Sequence, residues 1–78
     1  MRKKTDPLIV FGKSLKLRRE NLGLSQEALA DKCGFDRTYV SMLERGTRNP
    51  SLRNLIKLAT GLKSNVGDVT RVLDEFSN

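Results

Sequence analysis

Two short helical segments joined by a turn of about three residues constrain the fold of this chain most strongly. The first, QEALADKC, follows Ser25, and the second, RTYVSMLER, follows Asp36. Ser and Asp favour helix N-termini because their side-chain oxygens accept hydrogen bonds from unpaired backbone N–H groups. Gly34 and Gly46 predict the two C-termini because glycine readily adopts the left-handed backbone conformation. With the small Ala30 at the crossing, the spacing predicts a helix-turn-helix.

Three more helices are predicted around this pair, and no segment alternates long enough to indicate a strand. The first starts near Asp6 and Pro7, the fourth at Pro50 and Ser51, and the fifth after Asn65. The residues expected to face the core are Leu8, Phe11, Leu15 and Leu22; Leu29, Ala30, Phe35, Val40 and Leu43; Leu52, Leu55, Ile56, Ala59 and Leu62; and Val66, Val69, Leu73 and Phe76. We predict one all-α domain over residues 1–78, with residues 1–5 disordered.

The charge of the chain is unevenly distributed. The net charge is +6, but residues 1–63 hold fourteen basic and six acidic residues, whereas residues 64–78 hold one basic and three acidic residues. Most of the chain therefore suits a polyanionic partner, and its last fifteen residues suit another role.

Several functional classes find no support in the composition. The chain has no histidine and a single cysteine, so a zinc site within one chain is not expected. It shows neither a glycine-rich phosphate loop nor a nucleophile–base signature, so we expect no enzyme, no cofactor and no small-molecule ligand. Cys33 is interpreted as a small core residue. Neither a signal peptide nor a membrane-spanning segment of roughly 20 apolar residues is recognised, which predicts a cytoplasmic protein.

The outer face of the third helix, Arg37–Arg45, is unusually suited to reading DNA bases. Helical periodicity places Thr38, Ser41, Met42 and Arg45 opposite the expected core direction, without an acidic residue among them. Guanine presents acceptors suited to Arg in the major groove, and thymine presents a methyl group suited to Thr or Met. For Met42, half-buried packing and a thymine contact remain equal alternatives.

The segment GLSQEALADKCGFDRTYVSMLERGTRNPSL, residues 23–52, resembles the lambda-repressor-like (Xre-type) family of helix-turn-helix regulators. The resemblance extends over about residues 8–74 of the chain. Within that family, DRTYVSMLERGTRNPS is similar to the controller proteins of restriction–modification systems, which are small five-helix dimers. The resemblance implies a five-helix lambda-repressor-like fold in a bacterial or phage protein associated with the nucleoid.

Roles for single residues follow from the resemblance and from the outer face of the third helix. The residues expected to read bases are Arg37, Thr38, Ser41, Met42, Arg45 and Arg48. Those expected to contact phosphate are Ser25, Gln26, Tyr39 and Asn49. Gln26 matches the usual glutamine at the start of the second helix, which also braces a base-reading side chain. For Tyr39, packing against the second helix is an equal alternative to a backbone contact.

One charged residue is placed on an apolar stripe. Arg18 shares the inward face of the first helix, where an unpaired charge would be costly. We therefore predict a structural ion pair between Arg18 and Glu27 or Glu44, in preference to a DNA contact.

The C-terminal segment, residues 62–76, is the predicted dimer interface, through Leu62, Val66, Val69, Val72, Leu73 and Phe76. The alternative is that these residues only close the core of the monomer. A symmetric dimer would read two half-sites of a palindromic operator about 34 Å apart.

The sequence thus predicts a homodimeric, sequence-specific transcriptional regulator of double-stranded DNA, with RNA polymerase as a further partner if it activates. The alternative is an antitoxin-like or bridging module whose main partner is another protein.

Overall fold

A computed structural model of the chain describes residues 6–76, which form helices and contain no strand. The elements are α1 (Pro7–Asn21), α2 (Gln26–Cys33), α3 (Arg37–Arg45), α4 (Leu52–Gly61), α5 (Val66–Thr70) and a 3-10 segment (Arg71–Phe76). The prediction of an all-α chain with five α-helices is confirmed for this range. The prediction for residues 1–5 lies outside it. No helix among residues 6–76 is long and apolar enough to cross a membrane.

The helix N-termini are fixed by local capping, largely as the sequence predicts. A side-chain oxygen of Asp6 accepts from the N–H of Leu8 at 2.8 Å, which begins α1. The side-chain oxygens of Ser25, Ser51 and Asn65 accept equivalent bonds from backbone N–H groups at the starts of α2, α4 and α5. Asp36 occupies the N-cap position of α3, but its side chain makes no capping hydrogen bond. The backbone position predicted for Asp36 is therefore correct, and its predicted capping contact is absent.

The core lies between α1, α2, α3 and α4. Its largest fully buried side chains are Leu15, Leu29, Val40, Leu43 and Leu58. Burying each of these stabilises the fold by roughly 1.5–3 kcal/mol. Within this core α3 packs mainly on α1 and α2, so these two helices set its orientation.

The inward face of α1 differs from the predicted stripe. Phe11, Gly12, Leu15 and Arg19 are buried, whereas Leu22 is exposed to 42%. Gly12 permits this orientation, because a β-carbon there would lie 2.5 Å from the carbonyl oxygens of Leu43 and Glu44 at the end of α3. The two backbones therefore approach each other at a point where no side chain fits.

The inward face of α4 is also rotated relative to the prediction. Leu58, Ala59 and Leu62 are buried, but Leu52 and Ile56, which were predicted to face the core, are exposed to 68% and 51%. Leu58, which the predicted stripe omits, is completely buried. The apolar positions of α4 thus divide into a buried set and an uncovered set.

The C-terminal segment begins as predicted and then changes geometry. After the Asn65 cap, α5 ends at Thr70, and the chain continues as a 3-10 helix, a form that is frequent at helix ends. A guanidinium nitrogen of Arg18 donates to the carbonyl oxygen of Asp68 at 2.8 Å and ties α1 to α5. The segment therefore packs back onto the first helix.

Candidate nucleic-acid interface

The turn between α2 and α3 sets the angle at which α3 projects. Gly34 adopts a left-handed conformation with φ 76°, and the N–H of Phe35 donates to the carbonyl oxygen of Ala30 at 2.8 Å. Ala30 and Val40 are buried, so α2 and α3 pack closely at this corner. The predicted helix-turn-helix geometry is therefore present.

The outer face of α3 carries the predicted polar side chains, while Val40 and Leu43 lie in the core. Arg37, Thr38 and Arg45 are exposed, and Ser41 and Met42 are half-buried. Arg45 Nη1 donates to Ser41 Oγ at 2.6 Å, which directs the guanidinium back along the helix. The half-buried position of Met42 leaves both of its alternatives open.

A cluster of polar and aromatic groups lies beside α3, around Tyr39. The Tyr39 ring meets the Phe35 ring edge-on, with a centroid separation of 4.9 Å. Asn54 Nδ2, from α4, donates to the Tyr39 hydroxyl at 2.9 Å. The Arg48 guanidinium carbon lies 5.4 Å from the centroid of the Tyr39 ring, within the range of a cation–π contact. Tyr39 therefore contacts the turns on either side of α3 and the start of α4 through these groups, and it also packs against the core.

A buried ionic network fixes the opposite side of α3, and it corrects the predicted ion pair. Arg19, not Arg18, pairs with Glu44: Nε donates to Oε2 at 2.6 Å and Nη2 to Oε1 at 3.1 Å. The Glu44 side chain is only 4% exposed. Arg18 instead donates to a backbone carbonyl, and no ion pair within residues 6–76 includes Glu27. The prediction failed because the buried face of α1 runs through Gly12, Leu15 and Arg19, whereas the apolar pattern of the sequence had placed Arg18 on that face.

Two further contacts complete the network. Arg19 Nη1 donates to the carbonyl oxygen of Leu24 at 2.7 Å, and Gln26 Nε2 donates to Glu44 Oε1 at 3.0 Å. The hydrogen bond with Glu44 raises the pKa of Arg19, against a smaller opposing effect of desolvation. The network joins α1, the start of α2 and the end of α3. It also holds Gln26 at the N-terminus of α2.

The other residues predicted to contact phosphate lie at exposed positions. Ser25 and Asn49 are both exposed. Ser25 Oγ is already engaged as the N-cap of α2, accepting from the N–H of Ala28 at 3.0 Å. Thr47 Oγ1 donates to the carbonyl oxygen of Met42 at 3.1 Å and closes the end of α3. The turn that carries Arg48 and Asn49 is thereby tied to α3.

The predicted dimer interface is wrong for two of its six residues. Leu62 and Val69 are 5% and 2% exposed, because both pack inside the core of the monomer. Val66 and Leu73 are partly buried against that core. Val72 is half-buried and Phe76 is exposed.

The sequence interpretation did not identify the structural roles of four residues. Leu52 and Ile56 are uncovered, and the spacing of Leu55, Leu58 and Leu62 was the signal that α4 turns another face inward. Arg19 and Asn54 offered no local signal, since their partners lie 25 and 15 residues away in sequence.

Comparison with known proteins agrees with this geometry. A family model described as helix-turn-helix matches residues 15–69. The control protein C.MunI from Mycoplasma sp. is 52% identical over 58 residues, which are 73% of this chain and 78% of that protein. The crystal structure of the restriction–modification controller protein C.AhdI from Aeromonas hydrophila superposes with a TM-score of 0.78 at 48% identity, covering 80% of this chain and 94% of that one.

A complex is also among the similar structures. The controller protein C.Esp1396I, as a tetramer with its natural 35 base-pair operator, matches with a TM-score of 0.80 at 29% identity, covering 96% of this chain and all of that one.

Proposed function

This chain belongs to the helix-turn-helix family, and we propose that it is a sequence-specific transcriptional regulator of the restriction–modification controller type. It would bind a palindromic operator as a homodimer, with α3 in the major groove. The observation that supports this proposal is the outer face of α3, where Thr38 and Arg45 are exposed opposite the buried Val40 and Leu43, and Arg37 is exposed beside them at the start of the helix. The family is one of DNA-binding regulators and not of enzymes.

Base reading is assigned to the exposed arginines and to short side chains on α3. Arginine suits the two acceptors of guanine, whereas the methyl groups of Thr38 and Met42 suit thymine. Ser41 Oγ accepts from Arg45, so its first role is to direct that guanidinium. Arg48 adds a further base contact from the turn after α3.

Phosphate contacts are assigned to groups that keep a free donor in the structure. An amide carries two N–H donors, and Gln26 gives one to Glu44, so the second is available for a phosphate oxygen. The Tyr39 hydroxyl accepts from Asn54 and keeps its own hydrogen to donate. Ser25 and Asn49 lie exposed near the starts of α2 and α4, where free backbone N–H groups favour anions.

The homodimer is assigned to the apolar groups that the monomer leaves uncovered. Leu52, Ile56 and Phe76 are exposed, and Val72 is half-buried. A groove of about 440 Å³ lies between the start of α1, the turn before α4 and the C-terminal segment, and Leu8, Leu55 and Leu73 are among its lining residues. A second copy covering this surface would bring two α3 helices to half-sites about 34 Å apart.

The proposal extends to the compartment in which the protein acts and to its mode of regulation. The protein would act in the cytoplasm, where it meets both operator DNA and RNA polymerase. Activation would require a dimer bound beside a promoter to contact the polymerase, whereas repression would require only that the operator overlap the promoter.

Selection of bound sites from a random pool of DNA tests the proposal directly. We expect enrichment of an inverted repeat whose half-sites are centred about one helical turn apart. A variant with Arg37, Thr38 and Arg45 changed to Ala serves as the control, and it should enrich no common sequence. If the unaltered protein enriches no sequence, or binds no DNA at low salt, the regulator proposal fails and a protein partner becomes the better explanation.

A further inference from the structure

Tyr39 is held by three other side chains in an arrangement that a solvated surface does not require. Phe35 supports the ring from its edge, and Asn54 donates to the hydroxyl at 2.9 Å. Arg48, which is exposed, lies over the ring with its guanidinium carbon 5.4 Å from the centroid. The ring is thus fixed at its edge and its hydroxyl, while its face supports a cation.

Asn54 is itself held in place by the start of α4. It is the third residue of that helix, and its backbone N–H donates to Ser51 Oγ at 3.1 Å. Its side-chain amide therefore projects from a capped helix end, where little backbone freedom remains. The hydrogen bond to Tyr39 consequently joins two helices whose relative position is set by the fold.

A guanidinium stacked on a fixed aromatic ring has lost part of its rotamer freedom before binding. An exposed arginine in a turn would otherwise have to lose this freedom on contact with a base. The cation–π contact also leaves the N–H donors at the edge of the guanidinium plane free for two acceptors on a guanine.

We propose that Asn54 is a positioning residue for DNA recognition, acting through Tyr39 on Arg48. Its amide anchors the Tyr39 ring, and the ring holds Arg48 in the orientation that reads a base. This inference rests on the proposed function, since it assumes that the protein has an operator and that Arg48 contacts it.

Binding of single and double variants to the selected operator and to random DNA of equal length tests the proposal. Asn54→Ala should lower the ratio of operator to random affinity by about two- to five-fold, the effect of one exposed cation–π contact, while random affinity stays unchanged. Tyr39→Phe, which keeps the ring and loses the hydroxyl, should give a similar loss of that ratio; it should also weaken binding to both DNAs, because the proposed phosphate contact of the hydroxyl is lost. Combining the two should add little.

A double-mutant cycle with Arg48→Ala tests whether Asn54 acts through that residue. In the Arg48→Ala background, Asn54→Ala should change neither affinity, because the side chain that it positions is gone. Thr60→Ala is the matched control in α4, since the Thr60 hydroxyl bonds only within its own helix, to the carbonyl oxygen of Ile56. Thr60→Ala should leave the ratio unchanged.

A spectroscopic readout separates positioning from loss of stability. Tyr39 is the only tyrosine of the chain, so 3-fluorotyrosine gives a single fluorine resonance from this site. Asn54→Ala should shift and broaden that resonance, while its midpoint of thermal unfolding stays within the range of the Thr60→Ala control.

Three outcomes would overturn the inference: an Asn54→Ala variant with an intact affinity ratio, one with equal losses of operator and random affinity, or one whose ratio falls as strongly in the Arg48→Ala background as in the unaltered protein. An equal loss on both DNAs would make Asn54 a phosphate ligand. If the unaltered protein prefers no operator, the proposed function fails as well, so the two failures are distinguishable.

Discussion

The region built from α1 to α3 and the region built from α4 to Phe76 differ in the side chains that they expose. In the first, the buried guanidinium of Arg19 and carboxylate of Glu44 satisfy each other, and polar groups on the outer face of α3 point outward. In the second, Leu52 and Ile56 stand exposed on a helix whose other face is well packed. The first region exposes single apolar side chains such as Leu17, whereas the second exposes two, Leu52 and Ile56, that lie one helical turn apart on α4.

This difference assigns the two regions different partners. Polar, cationic groups on a rigid support suit the phosphates and base edges of DNA. Uncovered aliphatic groups suit another apolar surface, and a second copy of the chain offers one. Substitutions in the first region should therefore lower the stability of the fold, and substitutions in the second should weaken self-association.

The largest effect is expected when the ionic network of the first region is broken. Glu44→Ala leaves the buried guanidinium of Arg19 without its carboxylate, which should lower the free energy of unfolding by about 3–5 kcal/mol. Urea denaturation measures this. Arg18→Ala is the control, because it removes only a hydrogen bond to a carbonyl oxygen and should cost about 1 kcal/mol. Equal losses for the two variants would refute the structural role of Glu44.

A smaller effect is expected where α1 and α3 approach at Gly12. Gly12→Ala would place a β-carbon 2.5 Å from two carbonyl oxygens, so one helix must move, at a cost of about 1–3 kcal/mol. Gly67→Ala is the matched control, since its β-carbon would meet only Asn65 Oδ1, at 3.3 Å. Thermal unfolding should show a lower midpoint for Gly12→Ala and little change for Gly67→Ala. The reverse order would show that this helix crossing does not limit stability.

The second region should respond in self-association and not in folding. Replacing both Leu52 and Ile56 by Ser should raise the dimer dissociation constant at least about tenfold, since uncovered apolar anchors are lost from the interface. Sedimentation velocity over a range of protein concentrations measures the change. Leu17→Ser, at an exposed leucine of α1, should leave the dissociation constant unchanged. A double variant that associates like the unaltered protein would place the interface elsewhere.

The smallest effect is expected at Cys33, where the two regions meet. Burial raises the pKa of the Cys33 thiol, against a smaller lowering by the backbone hydrogen bond with Gly61. A raised pKa in the folded state stabilises the fold below the ordinary thiol pKa, and this stability is lost as the pH rises above about 8.5. The loss is at most about 1.4 kcal/mol per pH unit.

Denaturation of the unaltered protein and of Cys33→Ala between about pH 8 and pH 10 isolates this contribution. Other groups titrate in the same window, so the difference between the two pH profiles is the quantity of interest. The unaltered protein should lose more stability than the variant as the pH rises. Parallel profiles would mean that the thiol is not desolvated in the folded state.

Local signals in the sequence were enough to predict the five α-helices and the positions of their N-termini. The caps at Ser25, Ser51 and Asn65 and the turn at Gly34 each depend on a few neighbouring residues, and all are present. The outer face of α3 follows from helical periodicity once Val40 is assigned to the core.

Such local signals did not predict how α1 and α4 are rotated about their own axes. The rotation depends on which glycine faces another helix, and a sequence does not reveal this: Gly12 meets backbone carbonyls of α3, and Gly61 meets the side chain of Cys33. This choice decides whether Arg18 or Arg19 is buried and whether Ile56 is exposed. The bond between Asn54 and Tyr39 is equally non-local, since it forms only after α3 and α4 have packed.

Binding of Arg37→Ala to the selected operator and to random DNA tests the central claim most directly. If α3 reads bases, this change should weaken operator binding by about 1–3 kcal/mol and leave random DNA nearly unaffected. Arg71→Ala, which removes an exposed arginine from the 3-10 segment, is the matched control and should change neither affinity. Equal losses on both DNAs for Arg37→Ala, or the same result for the two variants, would contradict base reading by α3.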